Sequence, residues 1–207
     1  MLGRALHSSR EIMSDTQELA SQDSSAFPTT LDQCMEQSSL SDSYDEEIFE
    51  DCKTTNEHQV YLYRKAIIIP SGMPYCHSSS VLLSTAIIFN LALTYQLAGE
   101  QQAREQKNNT VFLQKAAKLY ELAHSLHAEE NMASANFILA AANNLGLIYH
   151  ELRDTQMSKR YFQHLLTTLM FLVDCGQSGT ASRHLDGFIR NATSQLLFKG
   201  DSAAPAA

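Results

Sequence analysis

AANNLGLIYHELRDTQMSKRYFQHLL, residues 141–166, is the stretch that decides the fold. Apolar residues recur three and four apart on both sides of the polar break RDTQ, the signature of two amphipathic helices. Asp154 and Thr155 are suited to cap the start of the second. Leu145, Gly146 and Tyr149 share the first helix, and Ser158, Phe162 and Leu165 share the second. A small residue at Gly146 lets a partner helix approach, Ser158 receives it, and the aromatic rings fill the remaining volume. The stretch therefore predicts two helices folded back on each other.

The pattern recurs upstream. FNLALTYQL (residues 89–97) aligns without gaps on NNLGLIYHE (residues 143–151), pairing Asn90 with Asn144, Leu91 with Leu145, Ala92 with Gly146 and Tyr95 with Tyr149. Ala116, Tyr120 and Ala123 repeat the spacing of Ser158, Phe162 and Leu165. Two helix–turn–helix units fit a short helical array. The first unit is longer: 21 residues separate Tyr95 from Ala116, against nine from Tyr149 to Ser158. Longer helices or a loop at GEQQAREQKNN would absorb the difference. SRHLDGFIRNATSQLLF reads as one closing helix.

These units resemble the tetratricopeptide repeat, whose first helix carries Leu-Gly and then Tyr, and whose second carries small, aromatic and small residues spaced four and three apart. The match covers about residues 80–173. It departs from the family at Leu165, where Ala is usual, at Ala142, in place of Trp, and at Met170, in place of the closing Pro. The layout is also similar to a group of diatom tetratricopeptide-like proteins, a resemblance that implies fold and no activity. The fold class expected is mainly α: a short right-handed array of antiparallel helix hairpins.

Ahead of the array the composition changes twice. Residues 1–46 are rich in Ser, Thr, Gln, Asp and Glu, which cannot bury enough apolar surface to offset backbone ordering, so a disordered acidic tail is expected. Ser43, three residues before Glu46, fits an acidic-directed phosphorylation pattern. Residues 47–70 contain EEIFEDC and QVYLYRKAIIIP, rich in β-branched and aromatic residues and separated by TTNEH; they predict an extended segment or β-hairpin ending at Pro70. Two strands alone are marginal in water, so this segment must lean on the helical body. There it either caps the array or occupies its groove in cis. The helical-repeat domain spans 71–200, and 201–207 is a frayed end.

The chain has 207 residues, 44% apolar, and a net charge of −8. Residues 1–55 carry twelve acidic against three basic residues, and the remainder carries eleven against twelve, so the body is near neutral. It has no basic stripe for phosphates, which argues against nucleic acid. With no continuous 18-residue apolar run and no signal core, neither a membrane span nor secretion is expected. The four cysteines lack C-x-x-C spacing, in keeping with reduced thiols in the cytoplasm or nucleus.

No phosphate loop or nucleophile–base grouping is visible, and His124 and His127 have no second ligand cluster beside them. No catalytic residue, cofactor or metal is therefore assigned. The resemblance implies instead a groove lined by the first helix of each unit, holding a protein or peptide partner. Carried over, its contact residues are Asn90, Leu93, Gln96, Asn144, Leu147, His150 and Glu151, with Phe89, Leu97 and Asn143 beside them. An asparagine amide can both donate to and accept from a partner backbone. None of these positions is Lys or Arg, so a carboxylate clamp is not expected. The function expected is a non-enzymatic adaptor or scaffold. The alternatives are a self-assembling subunit forming a homo-oligomer, and an acidic-tail regulatory protein displayed by a helical body.

Overall fold

The computed structural model describes residues 31–40, 60–69, 71, 76–129, 134–175 and 182–197. These form six helices: α1 Leu31–Leu40, α2 His77–Arg104, α3 Thr110–Glu129, α4 Ala135–Glu151, α5 Thr155–Asp174 and α6 Ser182–Leu197. α2 packs along α3 and α4 along α5. α3 joins the first pair to α4, and α6 closes on α5 and α4.

The two pairs turn in the same way. Gln106 (φ 57°) and Arg153 (φ 61°) both sit in the left-handed region just past α2 and α4. In each turn two amides cap the helix. Gln106 N–H donates to the Ala103 carbonyl and Lys107 N–H to that of Gln102. Arg153 N–H likewise donates to the His150 carbonyl and Asp154 N–H to that of Tyr149. This is a Schellman closure, here made without glycine. Asp154 then caps α5, its carboxylate accepting from Met157 N–H at 3.0 Å. The unequal spacing read from the sequence lies mostly in α2, which runs nine residues past Tyr95, whereas α4 runs two past Tyr149. The overhang is two turns, roughly 10 Å.

The packing centre of each pair follows from its small residues. A Cβ on Gly146 would lie 2.8 Å from Phe162 Cζ, so the ring lies directly on the α4 backbone. Ser158 Oγ donates to the Gly146 carbonyl at 2.9 Å, satisfying the hydroxyl brought into that contact. In the first pair Ala92, Ala116, Tyr120 and Ala123 fill the corresponding places, all fully buried.

Within the stretch expected to be a disordered tail, Leu31–Leu40 is helical, and Leu31, Cys34 and Met35 are buried in the core. Asp32 explains its position. Its carboxylate accepts from Ala135 N–H and Asn136 N–H, both at 3.1 Å, and from Ser134 Oγ at 2.5 Å, so it caps α4 from a distant part of the chain. Burial raises the Asp32 carboxyl above its ordinary range, and these hydrogen bonds work against that rise. Ser43 and the rest of the tail lie outside the described residues.

Of the expected β-hairpin, residues 47–59 also lie outside the described residues, and residues 60–69 run extended without a strand partner among them. Among the described residues, α2 is the one helix long and apolar enough to cross a bilayer. Asn90, Thr94 and Gln96 break its run, and Leu82, Ala86, Phe89 and Leu93 are buried in the core.

Candidate functional site

Residues 60–69 cross α6, α4 and α2 in turn, and at each helix one asparagine holds one residue by its backbone. Tyr61 N–H donates to Asn191 Oδ1 at 3.0 Å, and Asn191 Nδ2 donates back to the Tyr61 carbonyl at 2.5 Å. Tyr63 N–H donates to Asn144 Oδ1 at 3.1 Å, and Asn144 Nδ2 returns a bond to the Tyr63 carbonyl at 2.9 Å. Ile67 N–H donates to Asn90 Oδ1 at 2.8 Å, and Asn90 Nδ2 donates to the Ile67 carbonyl at 2.9 Å. A primary amide offers a donor and an acceptor on one plane, as a neighbouring strand does. The asparagines therefore do the work of a ladder for a segment that has no strand beside it among the described residues.

The amides are tied to one another. Asn143 Nδ2 donates to the Tyr61 carbonyl and to Asn144 Oδ1, both at 3.1 Å, while Asn191 Nδ2 donates to Asn143 Oδ1 at 2.6 Å. Asn144 also donates to the Tyr120 hydroxyl at 3.0 Å. Asn143 and Asn144 are fully buried and Asn191 nearly so. A buried amide left without partners would be costly, so a satisfied network fixes both the register of the segment and the rotamers that hold it.

Side chains add apolar anchors at alternate positions. Tyr63 and Ile67 are buried, and Tyr61 and Ile69 pack against the core. The Tyr61 ring meets Phe188 edge-on at 5.3 Å, and its hydroxyl lies 2.5 Å from His184 Nδ1. Burial pushes the Tyr61 hydroxyl above its usual range, keeping it neutral. A Cβ on Gly187 would stand 2.3 Å from Tyr61 Cγ, so only glycine leaves room for this ring. Outward, Arg64 pairs with Glu100 at 2.8 Å across a partly exposed surface.

Of the residues read from the sequence, Asn90 and Asn144 meet the segment directly. Leu93 and Gln96 are buried, with Gln96 Oε1 unpartnered, and Leu147 packs partly buried against the core. His150 and Glu151 are exposed. Asn143, read beside the contact residues, also meets the segment through the Tyr61 carbonyl, whereas Gly187 and Asn191 escape the sequence reading. Their signal is a small residue four before an asparagine in three helices: AIIFN (residues 86–90), AAANN (residues 140–144) and GFIRN (residues 187–191). Ala86, Ala140 and Gly187 all lie buried one turn before the grip. α6 thus supplies an asparagine to the segment as α2 and α4 do.

Among the described residues, no group of three His, Cys, Asp or Glu could hold a metal ion. His124 faces His164 at 5.6 Å, whereas His127 packs on Phe137 at 4.7 Å. Elsewhere Glu121 accepts from the stacked Tyr149 and Tyr161 at 2.7 and 3.1 Å. Burial and that carboxylate together push Tyr161 up to about 12. Comparison with protein-family models, curated proteins and solved structures finds no match to this chain.

Proposed function

We propose that this chain is a non-enzymatic protein-interaction module, a short right-handed tetratricopeptide-like array that holds extended peptides in the groove formed by α2, α4 and α6. The observation that carries this reading is the triple amide grip: three asparagines on three helices, each binding both N–H and C=O of one extended residue. Such contacts recognise a backbone in an extended state rather than a particular sequence, which suits an adaptor or scaffold. The matching Schellman turns and small-residue contacts support the repeat architecture.

The test compares affinity capture from native lysate by the wild type and by the Asn90→Ala, Asn144→Ala double variant, with folded fractions matched by circular dichroism. Loss of a common set of partners is expected. Capture of the same set by both proteins rejects the groove reading.

A self-assembling subunit is the second reading. It is favoured by Leu83, Ile87 and Leu91, which stand 41, 55 and 45% exposed along one flank of α2. A strict monomer across a light-scattering concentration series excludes it.

A further inference from the structure

The groove is filled by the chain itself, and what fills it describes the partner. Resting on the proposal of an interaction groove, we infer that residues 60–69 are an internal stand-in for an extended segment of another protein. That segment carries an aromatic residue, a second aromatic two residues on, and a branched aliphatic four residues after that, and it displaces residues 60–69 on binding.

Three features point to replacement. The asparagine contacts to Tyr61, Tyr63 and Ile67 from α6, α4 and α2 go to backbone atoms, so any chain in the same extended state satisfies them, and the Tyr61 hydroxyl beside His184 adds a side-chain contact at the first anchor. The apolar contacts are confined to alternate positions, and they set the pattern. Tyr63 sits among Phe89, His184 and Phe188, Ile67 is buried beside Asn90, and Tyr61 lies over Gly187. Finally, the outward residues Val60, Arg64, Ala66 and Ile68 are exposed, and Arg64 meets α2 through its surface ion pair with Glu100, so these positions bury little side chain in the groove. A segment tethered to its own groove has an effective concentration on the order of millimolar, so a free peptide binds the intact chain weakly.

The probe is a fluorescent synthetic peptide with the sequence of residues 60–69, titrated by anisotropy into the full chain and into its Tyr63→Ala, Ile67→Ala variant. Weakening the internal segment should tighten peptide binding by about 100-fold, the suppression expected from a millimolar internal competitor against a peptide of roughly 10 μM affinity. Adding Asn144→Ala to that variant should abolish the gain. Equal affinity for wild type and variant, or no binding to a variant that is folded, overturns the inference.

Should the variant fail to fold, hydrogen exchange on the wild type with millimolar unlabelled peptide decides. The Tyr61, Tyr63 and Ile67 amides should exchange faster while α4 stays protected; unchanged rates overturn the proposal. Gly187→Ala supplies a size test. The peptide with Tyr61→Ala should bind this chain better than the unaltered peptide does, and the reverse order places binding elsewhere. A doubled mass in light scattering, with residues 60–69 exchanged between copies, replaces the foreign partner with a second copy. If the peptide fails while lysate capture still depends on Asn90 and Asn144, this inference falls and the interaction groove stands; if both fail, both fall.

Discussion

The two hairpins carry the same chemistry at different depths. Asn144 and Asn90 make the same pair of backbone bonds, but Asn144 is fully buried and Asn90 only partly so. Leu145 is fully buried, whereas its counterpart Leu91 is 45% exposed. α4 has α3 on one side, α5 and α6 on the other, and the Asp32 carboxylate at its start. α2 packs on α3 and presents an apolar flank outward. A repeat in sequence thus fixes contact geometry, while position in the stack fixes how much each contact is worth.

The comparison breaks most readily at the asparagines. Asn144→Ala removes the bonds that the buried amide makes with the Tyr63 N–H and C=O and the Tyr120 hydroxyl, and should cost about 3 kcal/mol or more. Asn90→Ala lets water reach the freed Ile67 groups and should cost about 1 kcal/mol. Urea denaturation of the two variants measures the gap, and equal costs would mean that burial does not separate the units. The leucines test the same point through packing. Leu145→Ala should cost about 2–5 kcal/mol, while Leu91→Ala, made at an exposed site, should stay within about 0.5 kcal/mol.

A pH series sharpens the account where the hairpins meet. Burial, with a smaller contribution from His124, lowers His127 to about 4, and burial also lowers His124 and His164. The folded state therefore favours neutral rings, whereas the unfolded chain takes up protons below about pH 6.5. Stability from these histidines is present above pH 6.5 and is lost as pH falls toward 4, by at most about 1.4 kcal/mol per unit for each ring. Asp32, raised by burial, works in the opposite sense. Thermal melts between pH 7 and 4.5 should show the loss, and His127→Phe should flatten the slope; an unchanged slope removes His127 as its source.

The smallest effects concern the turns. Gln106 and Arg153 hold left-handed backbone that costs a non-glycine residue roughly 1 kcal/mol. Gln106→Gly and Arg153→Gly should each raise stability by up to about 0.5–1 kcal/mol, and by similar amounts, since the two closures share one geometry. A gain at one turn only would show that the two turns are not equivalent.

Much of the helical body was legible because helix periodicity and small-residue spacing are local signals: Gly146, Ser158 and Phe162 meet as their spacing implies. The asparagine pair was legible because the two units align. Asn191 was not, since the last helix lacks the Leu-Gly-Tyr signature and shares only the small residue four before its amide. α1 was hidden for a different reason. Its polar composition reads as tail, and its place depends on Asp32 reaching amides about a hundred residues away. The extended run 60–69 was legible as extended, but its ladder comes from side-chain amides that no strand rule anticipates.

The central claim is that asparagine side chains hold residues 60–69 by their backbone, and residue-resolved hydrogen exchange tests it most directly. The Tyr61, Tyr63 and Ile67 amides, which donate to Asn191, Asn144 and Asn90, should be slow, while Leu62 and Ala66 between them exchange quickly. Asn144→Ala should release Tyr63 ahead of α4 itself. Uniformly fast exchange across residues 60–69 in the wild type, with the helices protected, would contradict the account.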